Sequence, residues 1–376
     1  MMKYILPLSA VLFVVYSFCD FKSPQKGYTN QELRDLYGSG NQNLWPKPHL
    51  FDDAKEGFKD IGSLSAPEFP KNNPYSKEKE ELGKMLFFDP RLSKSGQISC
   101  ANCHDPELAW ADGRRVAYGH DRQLGTRNAP TILNVVYAKE YFWDGRAASL
   151  EEQAKAPIEN PVEMNFHSWL AVKTIAKIKG YKEYFQKAFG QDKITEENIT
   201  KAIATFERTI ISPKSKFDKF VSGEKSALTD SEINGLHLFR TKANCINCHN
   251  TAYFSDQKFH NLGLTYFGRE YEDLGLYNIS KKNEDVGKFK TPTLREVSKT
   301  APYMHNGLFP NIRGVLNMYN AGMPNEKRNR DSPLAPKKSL MLQKLNLTDS
   351  ELTDIENFLN TLHSYQYKMR APQLPK

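Results

Sequence analysis

The sequence predicts a mainly α-helical protein of two tandem units built to one plan behind an extended N-terminal arm, and three observations carry that prediction. A Cys-x-x-Cys-His pattern occurs twice, as Cys100-Ala-Asn-Cys103-His104 and Cys245-Ile-Asn-Cys248-His249. A similar segment precedes each copy, Gly83-Lys-Met-Leu-Phe87 and Gly235-Leu-His-Leu-Phe239, which marks an internal duplication. About a hundred residues past each histidine comes an amphipathic helix. Ile199, Ile203, Phe206 and Ile210 follow Thr195 at helical spacing in the first, and Leu352, Ile355, Leu359 and Leu362 follow a Thr348-x-x-Glu351 capping box in the second.

Residues 1–19 read as a signal peptide: Lys3 precedes an apolar stretch, Tyr4 to Phe18, that has the length of a leader and falls short of a membrane span. Cys19 stands where a lipoprotein signal places its acylated cysteine, a lipid anchor; Phe18 is bulky for the residue before that cleavage point, and an ordinary leader would discard Cys19. Residues 20–75 are rich in Pro, Asn, Lys and Gly. There Trp45-Pro46-Lys47-Pro48, Pro67, Pro70 and Pro74 break any long periodicity, so the segment reads as an extended wrapping arm. Residues 76–220 and 221–366 form the two units. Their joint, from Ser212 to Leu228, is polar and punctuated, and Thr229-x-x-Glu232 caps the helix that opens the second unit. A hydrophobic fraction of 39% over 376 residues is adequate for the cores of two domains. The net charge of +8 is not gathered into a Lys/Arg cluster interleaved with aromatics, which argues against nucleic acid as a partner.

The repeated pentapeptide is the attachment signal of a covalent haem. The two thiols add across the porphyrin vinyls, and the adjacent imidazole is held beneath the iron as its first axial ligand. Cys100, Cys103 and His104 thus hold one haem c, and Cys245, Cys248 and His249 a second. Paired Cys-x-x-Cys units also build zinc ribbons, but with only about 15–20 residues between the pairs. Histidine makes up 9 of 376 residues, so on composition alone a His directly after both pairs has odds below roughly one in a thousand. A haem motif after one helix, a long loop and a closing helix is the layout of a cytochrome c domain, so two such domains in tandem are expected. Haems of this kind are attached outside the cytosol, and with the leader they direct the chain to the periplasm.

Six further segments make the chain resemble a known family: Leu86-Phe-Phe-Asp-Pro-Arg-Leu92, Arg127-Asn-Ala-Pro-Thr131, Phe142-Trp-Asp-Gly-Arg-Ala147, Asn160-Pro-Val-Glu-Met164, Thr291-Pro-Thr-Leu-Arg295 and Thr300-Ala-Pro-Tyr-Met-His-Asn-Gly307. From about Gly83 to Leu362 it is similar to the bacterial diheme cytochrome c peroxidases and their relative MauG. The resemblance implies that the N-terminal haem meets peroxide and the C-terminal haem takes electrons from a donor. It implies His120 as a displaceable distal ligand of the first iron, Glu163 as the acid–base group, Gln153 as a second pocket residue that hydrogen-bonds peroxide, and Trp143 as an aromatic bridge between the haems. It implies one Ca²⁺ held by the Asn128 side chain and the Thr300 and Pro302 carbonyls, hard oxygen donors of the kind that ion takes. Without the resemblance the same residues have plainer roles: a loop histidine, a solvated carboxylate, a helix-surface amide and a core aromatic.

The second haem departs from the usual peroxidase pattern. Its distal ligand in that family is a methionine, whereas the equivalent position here holds Tyr319, with Met318 beside it and Met304 as a further thioether. Thioether ligation raises a haem's potential, while a phenolate favours ferric and higher states, so the identity of this ligand bears on function. His305 matches a family residue near the domain junction. The leading expectation is a cytochrome c peroxidase that reduces hydrogen peroxide to water with electrons from a small periplasmic cytochrome c or cupredoxin. The alternatives are a MauG-like peroxide-dependent oxidase of a protein or small-molecule substrate, and a diheme electron carrier. The family also forms homodimers, which the resemblance extends to this chain.

Overall fold

The computed structural model describes residues 27–326, 331–364 and 369–376; the expected leader, Cys19 and residue 366 at the end of the second unit lie outside them. In chain order the helices are α1 (Asn30–Tyr37), α2 (Asp52–Lys55), α3 (Lys77–Phe87), α4 (Leu150–Glu159), α5 (Ser168–Ala176), α6 (Lys179–Phe189), α7 (Glu196–Thr209), α8 (Lys216–Val221), α9 (Asp230–Arg240), α10 (Tyr277–Ser280), α11 (Ile312–Asn320) and α12 (Asp349–Asn360). The sheet found among the described residues is one antiparallel pair, β1 (Phe259–Asn261) with β2 (Lys288–Lys290), in a register that sets Phe259 opposite Lys290. No helix among the described residues is long and apolar enough to cross a membrane.

The duplication seen in sequence is a repeated helix crossing. In the first copy α3 lies on α7, and a Cβ on Gly83 would overlap the Ala202 carbonyl oxygen and meet Phe206 Cβ at 2.9 Å. In the second α9 lies on α12, and a Cβ on Gly235 would overlap the Asp354 carbonyl oxygen and meet Phe358 Cβ at 2.8 Å. Glycine is required because the backbones touch there, a close approach that any side chain forbids. The same two rings lock each crossing edge-on: Phe87 against Phe206 at 5.3 Å, and Phe239 against Phe358 at 5.2 Å. The caps read from sequence are formed, with Thr229 and Glu232 at α9 and Thr348 and Glu351 at α12 each satisfying the other's backbone N–H.

Two large apolar cores surround these crossings. One gathers Leu82, Leu86, Phe87, Ile199, Ile203 and Phe206 with α5 and α6, and the other Ile233, Leu236, Phe239, Ile355, Phe358 and Leu362 with α8 and α11. Each such side chain contributes about 1.5–3 kcal/mol when fully buried. The termini cross between them. Leu33, Tyr37, Trp45 and Ile61 of the arm enter the second core, while Met369 packs on the first and the Lys376 carbonyl accepts from Gly180 N–H at 3.0 Å. Arg91 donates to the Pro375 carbonyl at 3.0 Å, closing that contact. The arm also differs from the extended segment expected. It contains α1 and α2, and α1 begins at a capping box of Thr29 and Glu32, ahead of the break at Trp45-Pro46.

Candidate haem-binding active site

Each Cys-x-x-Cys-His winds as a 3₁₀ turn, Cys100–Asn102 and Cys245–Asn247. In such a turn side chains three apart eclipse, which sets the two thiols of a pair side by side. Burial pushes the thiols of all four motif cysteines well above the ordinary range. The histidine that follows is oriented the same way in both copies. His104 Nδ1–H donates to the Trp110 carbonyl at 3.2 Å and His249 Nδ1–H to the Phe254 carbonyl at 3.1 Å. Trp110 and Phe254 are bulky residues in the left-handed region, φ 59° and 56°, a backbone state that costs energy and recurs at functional sites. Those bonds leave Nε2 with its lone pair as the ligand atom. Burial pushes His104 down to about 4 and lowers His249 as well, so both imidazoles are neutral, as a metal ligand must be.

Both motifs open on one cavity of about 1230 Å³. That exceeds the roughly 300–1,000 Å³ of an ordinary small-molecule pocket and suits two macrocycles. Paired thiols, an oriented neutral imidazole at each station and a largely apolar wall between them fit two covalent haems.

Around the first station the wall is built by α4 and the loop after it. Leu150, Gln153, Ala154 and Pro157 line the cavity as one helical stripe, and Pro157, mid-helix, has no N–H to satisfy there. Glu163 lines it too, with Oε1 accepting from Asn160 Nδ2 at 2.6 Å. Burial raises the Glu163 pKa, against the lowering pull of that hydrogen bond and of Arg146. The loop bearing His120 is fastened here: His120 N–H donates to the Glu163 carbonyl at 2.7 Å, and a Cβ on Gly119 would overlap the Val162 carbonyl. Expected as a distal iron ligand, the His120 imidazole is not among the residues that line the cavity. It is buried, with Nε2 3.3 Å from Asp121 Oδ2 and Nδ1 without a partner, on a loop held by its backbone bond to Glu163 and by the left-handed turn at Asp121.

Between the stations, elements of both halves interlock. Trp143 lines the cavity, donates from Nε1 to the Asn128 carbonyl at 2.9 Å and accepts at its own carbonyl from Lys290 N–H of β2, also at 2.9 Å. His305 meets Trp143 edge-on at 6.4 Å and stacks on Phe289 at 3.6 Å. Burial pushes His305 down to about 4, so it is neutral. Arg127 bridges the halves by donating to Asp144 and Asp273, at 2.6 Å each. Asn128 Nδ2 donates to the Arg114 carbonyl at 2.8 Å, leaving Oδ1 available on a wall shared with Thr300 and Pro302.

At the second station Tyr319 and Met304 line the cavity, whereas Met318 does not. Burial raises the Tyr319 phenol well above its ordinary range, and the Cys248 and Cys245 thiols add to the shift, which locates the ring beside the second motif. Two lining residues escaped sequence reasoning. Lys290 is a desolvated cation, pushed down to about 8 by burial, with Nζ on the Glu140 carbonyl at 2.5 Å. Glu207 is a buried acid on α7. Overlaying the two repeats would have exposed Glu207 as a polar residue in an apolar stripe.

Two thiol pairs on one cavity, each with a pre-oriented neutral imidazole, define a diheme c-type cytochrome with a reaction chamber. A sequence model of the di-haem cytochrome c peroxidase family matches residues 77–226. Methylamine utilization protein MauG of Methylophilus methylotrophus is 37% identical over 327 residues, covering 86% of this chain and 92% of its own. Cytochrome c551 peroxidase of Nitrosomonas europaea is 38% identical over 306 residues, covering 80% and 85%. The crystal structure of a MauG-like protein associated with microbial copper homeostasis superposes with a TM-score of 0.73 at 32% identity, covering 80% of this chain and 93% of that one. The chain belongs to the di-haem cytochrome c peroxidase and MauG family, oxidoreductases that carry two haem c groups.

Proposed function

We propose that the protein is a periplasmic peroxidase that reduces hydrogen peroxide to two waters with electrons from a small redox protein, a cytochrome c or a cupredoxin. Glu163 carries this reading: a plain electron carrier has no use for a carboxyl with raised pKa inside the chamber of its first haem. Bound haem supplies redox-active iron, where peroxide binds and through which electrons pass. Glu163 accepts the proton of bound peroxide and returns it to the departing oxygen, held in place by Asn160. Gln153, on the same wall, offers amide N–H and C=O groups that orient the substrate. His120, on a loop hydrogen-bonded to the Glu163 carbonyl and with Nδ1 unpartnered, is the displaceable distal ligand of the first iron in this reading. Trp143, with His305 and Phe289 behind it, supports an aromatic connection between the stations. The proposal extends to one Ca²⁺ at Asn128, Thr300 and Pro302, to export by the leader, and to a homodimer.

Tyr319 favours a second reading, a MauG-like oxidase that spends peroxide on a protein or small-molecule substrate, because it lines the second station, and iron that displaced its proton and took it as a ligand would be stabilised in ferric and higher states. Rapid mixing of the haem-loaded protein with peroxide, oxidised and half-reduced, separates these readings. A peroxidase changes its haem spectrum and oxidises two equivalents of a one-electron donor per peroxide. An oxidase keeps both haems oxidised until a substrate other than the donor discharges them, and an unchanged spectrum leaves only the carrier.

A further inference from the structure

The internal repeat isolates one residue that packing does not call for. Gly83, Ile203 and Phe206 of the first helix crossing correspond at one constant spacing to Gly235, Ile355 and Phe358 of the second. The residue after Phe358 is Leu359, an apolar part of the cavity wall; the residue after Phe206 is Glu207, in the equivalent place on the same cavity. Glu207 is 4% exposed, and its Oε2 has no hydrogen-bond partner. A leucine serves the fold at this position, and a buried carboxyl without a partner is a cost that some other requirement must offset.

The surroundings leave that carboxyl unneutralised. Arg208, next on α7, gives its guanidinium to Glu151 of α4, at 2.7 and 2.9 Å. The Tyr141 phenol feels Glu207 from the loop before α4. From α3 the packed residues are apolar, with Lys79 held away by Asn73 at 3.1 Å. Of the ionisable groups that act on Cys100, Glu207 acts most strongly, which locates it at the edge of the first station. Burial pushes Glu207 up to about 8, against Arg208 and with Glu151, so it holds a proton at neutral pH.

We propose that Glu207 is a proton-exchanging acid of the first haem chamber, losing its proton to water when an electron leaves that haem and regaining one when an electron arrives. Each one-electron reduction from a donor is then matched by one proton taken from solvent onto the carboxylate, so the charge of the chamber stays constant. In a poorly screened interior a unit change of charge at the haem outweighs the modest bias needed to ionise such an acid. This rests on the reading that the first motif holds a haem.

The test uses the mature haem-loaded protein, with haem content at both motifs confirmed by mass. The first haem is titrated to equilibrium with reductant from about pH 6 to about pH 9, the range around an acid of this kind. Wild-type, E207Q and E207L proteins are compared, with infrared difference spectra of reduced minus oxidised forms. The expected result is a reduction equilibrium that weakens up to tenfold per pH unit, a protonated-carboxyl band appearing on reduction, and loss of both in the two variants, while the second haem's pH dependence is unchanged. E207L carries the residue the second repeat uses there, and E207Q preserves shape. A pH-independent wild type, or a slope and band that survive in E207Q, overturns the proposal; absence of haem at the first motif overturns instead the functional reading beneath it.

Discussion

Replacing Arg295 with methionine should cost the protein about 3–5 kcal/mol, the usual loss when one partner of a buried ion pair is removed. Arg295 and Asp218 are each 2% exposed, and the guanidinium meets both carboxylate oxygens at 3.0 Å. It also donates to the Gly62 carbonyl of the arm and the Ala252 carbonyl, both at 2.7 Å. Methionine fills much of the volume but leaves Asp218 with only the Ser215 N–H and Oγ–H, each at 2.8 Å. Burial alone would raise the Asp218 pKa, and Arg295 with Ser215 reverses this and holds it below the ordinary 3.8. A depressed carboxyl contributes stability that is complete above the unfolded-state pKa and disappears as pH falls through the folded one. In the variant burial wins, the Asp218 pKa rises, and protonation relieves the cost, so the gap to wild type should narrow on acidification. Urea unfolding of the haem-loaded protein at about pH 7 and about pH 4, followed by far-ultraviolet circular dichroism, measures both effects. Because Ala252 lies in the loop that offers the Phe254 carbonyl to His249, the second haem's visible spectrum should change as well. A loss under about 1 kcal/mol, or a gap independent of pH, would refute the argument.

Substituting Glu163→Gln should leave both haems attached, by mass, while lowering peroxide turnover about 10²-fold or more. In wild type the acid limb of the pH–rate profile should lie above the ordinary glutamate value of 4.5, since Glu163 must be ionised to accept a proton and burial raises its pKa; E163Q should remove that limb. Gly235→Ala and Gly83→Ala should each cost about 1–3 kcal/mol or more in thermal unfolding, because the helices must separate to admit a methyl group. The oxidised protein should lack the near-infrared band of a thioether on ferric iron, and Tyr319→Phe should alter the second haem's spectrum; such a band, abolished by Met304→Ala or Met318→Ala, would exclude the tyrosine.

Much of this architecture was legible because covalent chemistry and backbone contact leave few substitutes. Cys-x-x-Cys-His is a specific attachment signal for a haem of this kind, and only glycine fits where Gly83 and Gly235 meet the facing backbone. The capping boxes of α9 and α12 were readable for the same reason, since each is a local bargain between two named side chains. The β1–β2 pair was not, because three-residue strands leave no periodicity to detect. Arg127 bridging Asp144 and Asp273 depends on residues far apart in sequence, which spacing cannot reveal. Spacing from the haem motif also cannot fix which way a loop turns, and so it does not reveal that the His120 loop is fastened to Glu163 through its backbone.

The exchange of terminal segments between the two cores has a thermodynamic consequence. The arm that precedes the first unit packs in the second core and the tail that follows the second unit packs on the first, so melting should proceed as one cooperative event rather than two. Failure to mature either haem should then lower the resistance of the whole molecule to limited proteolysis.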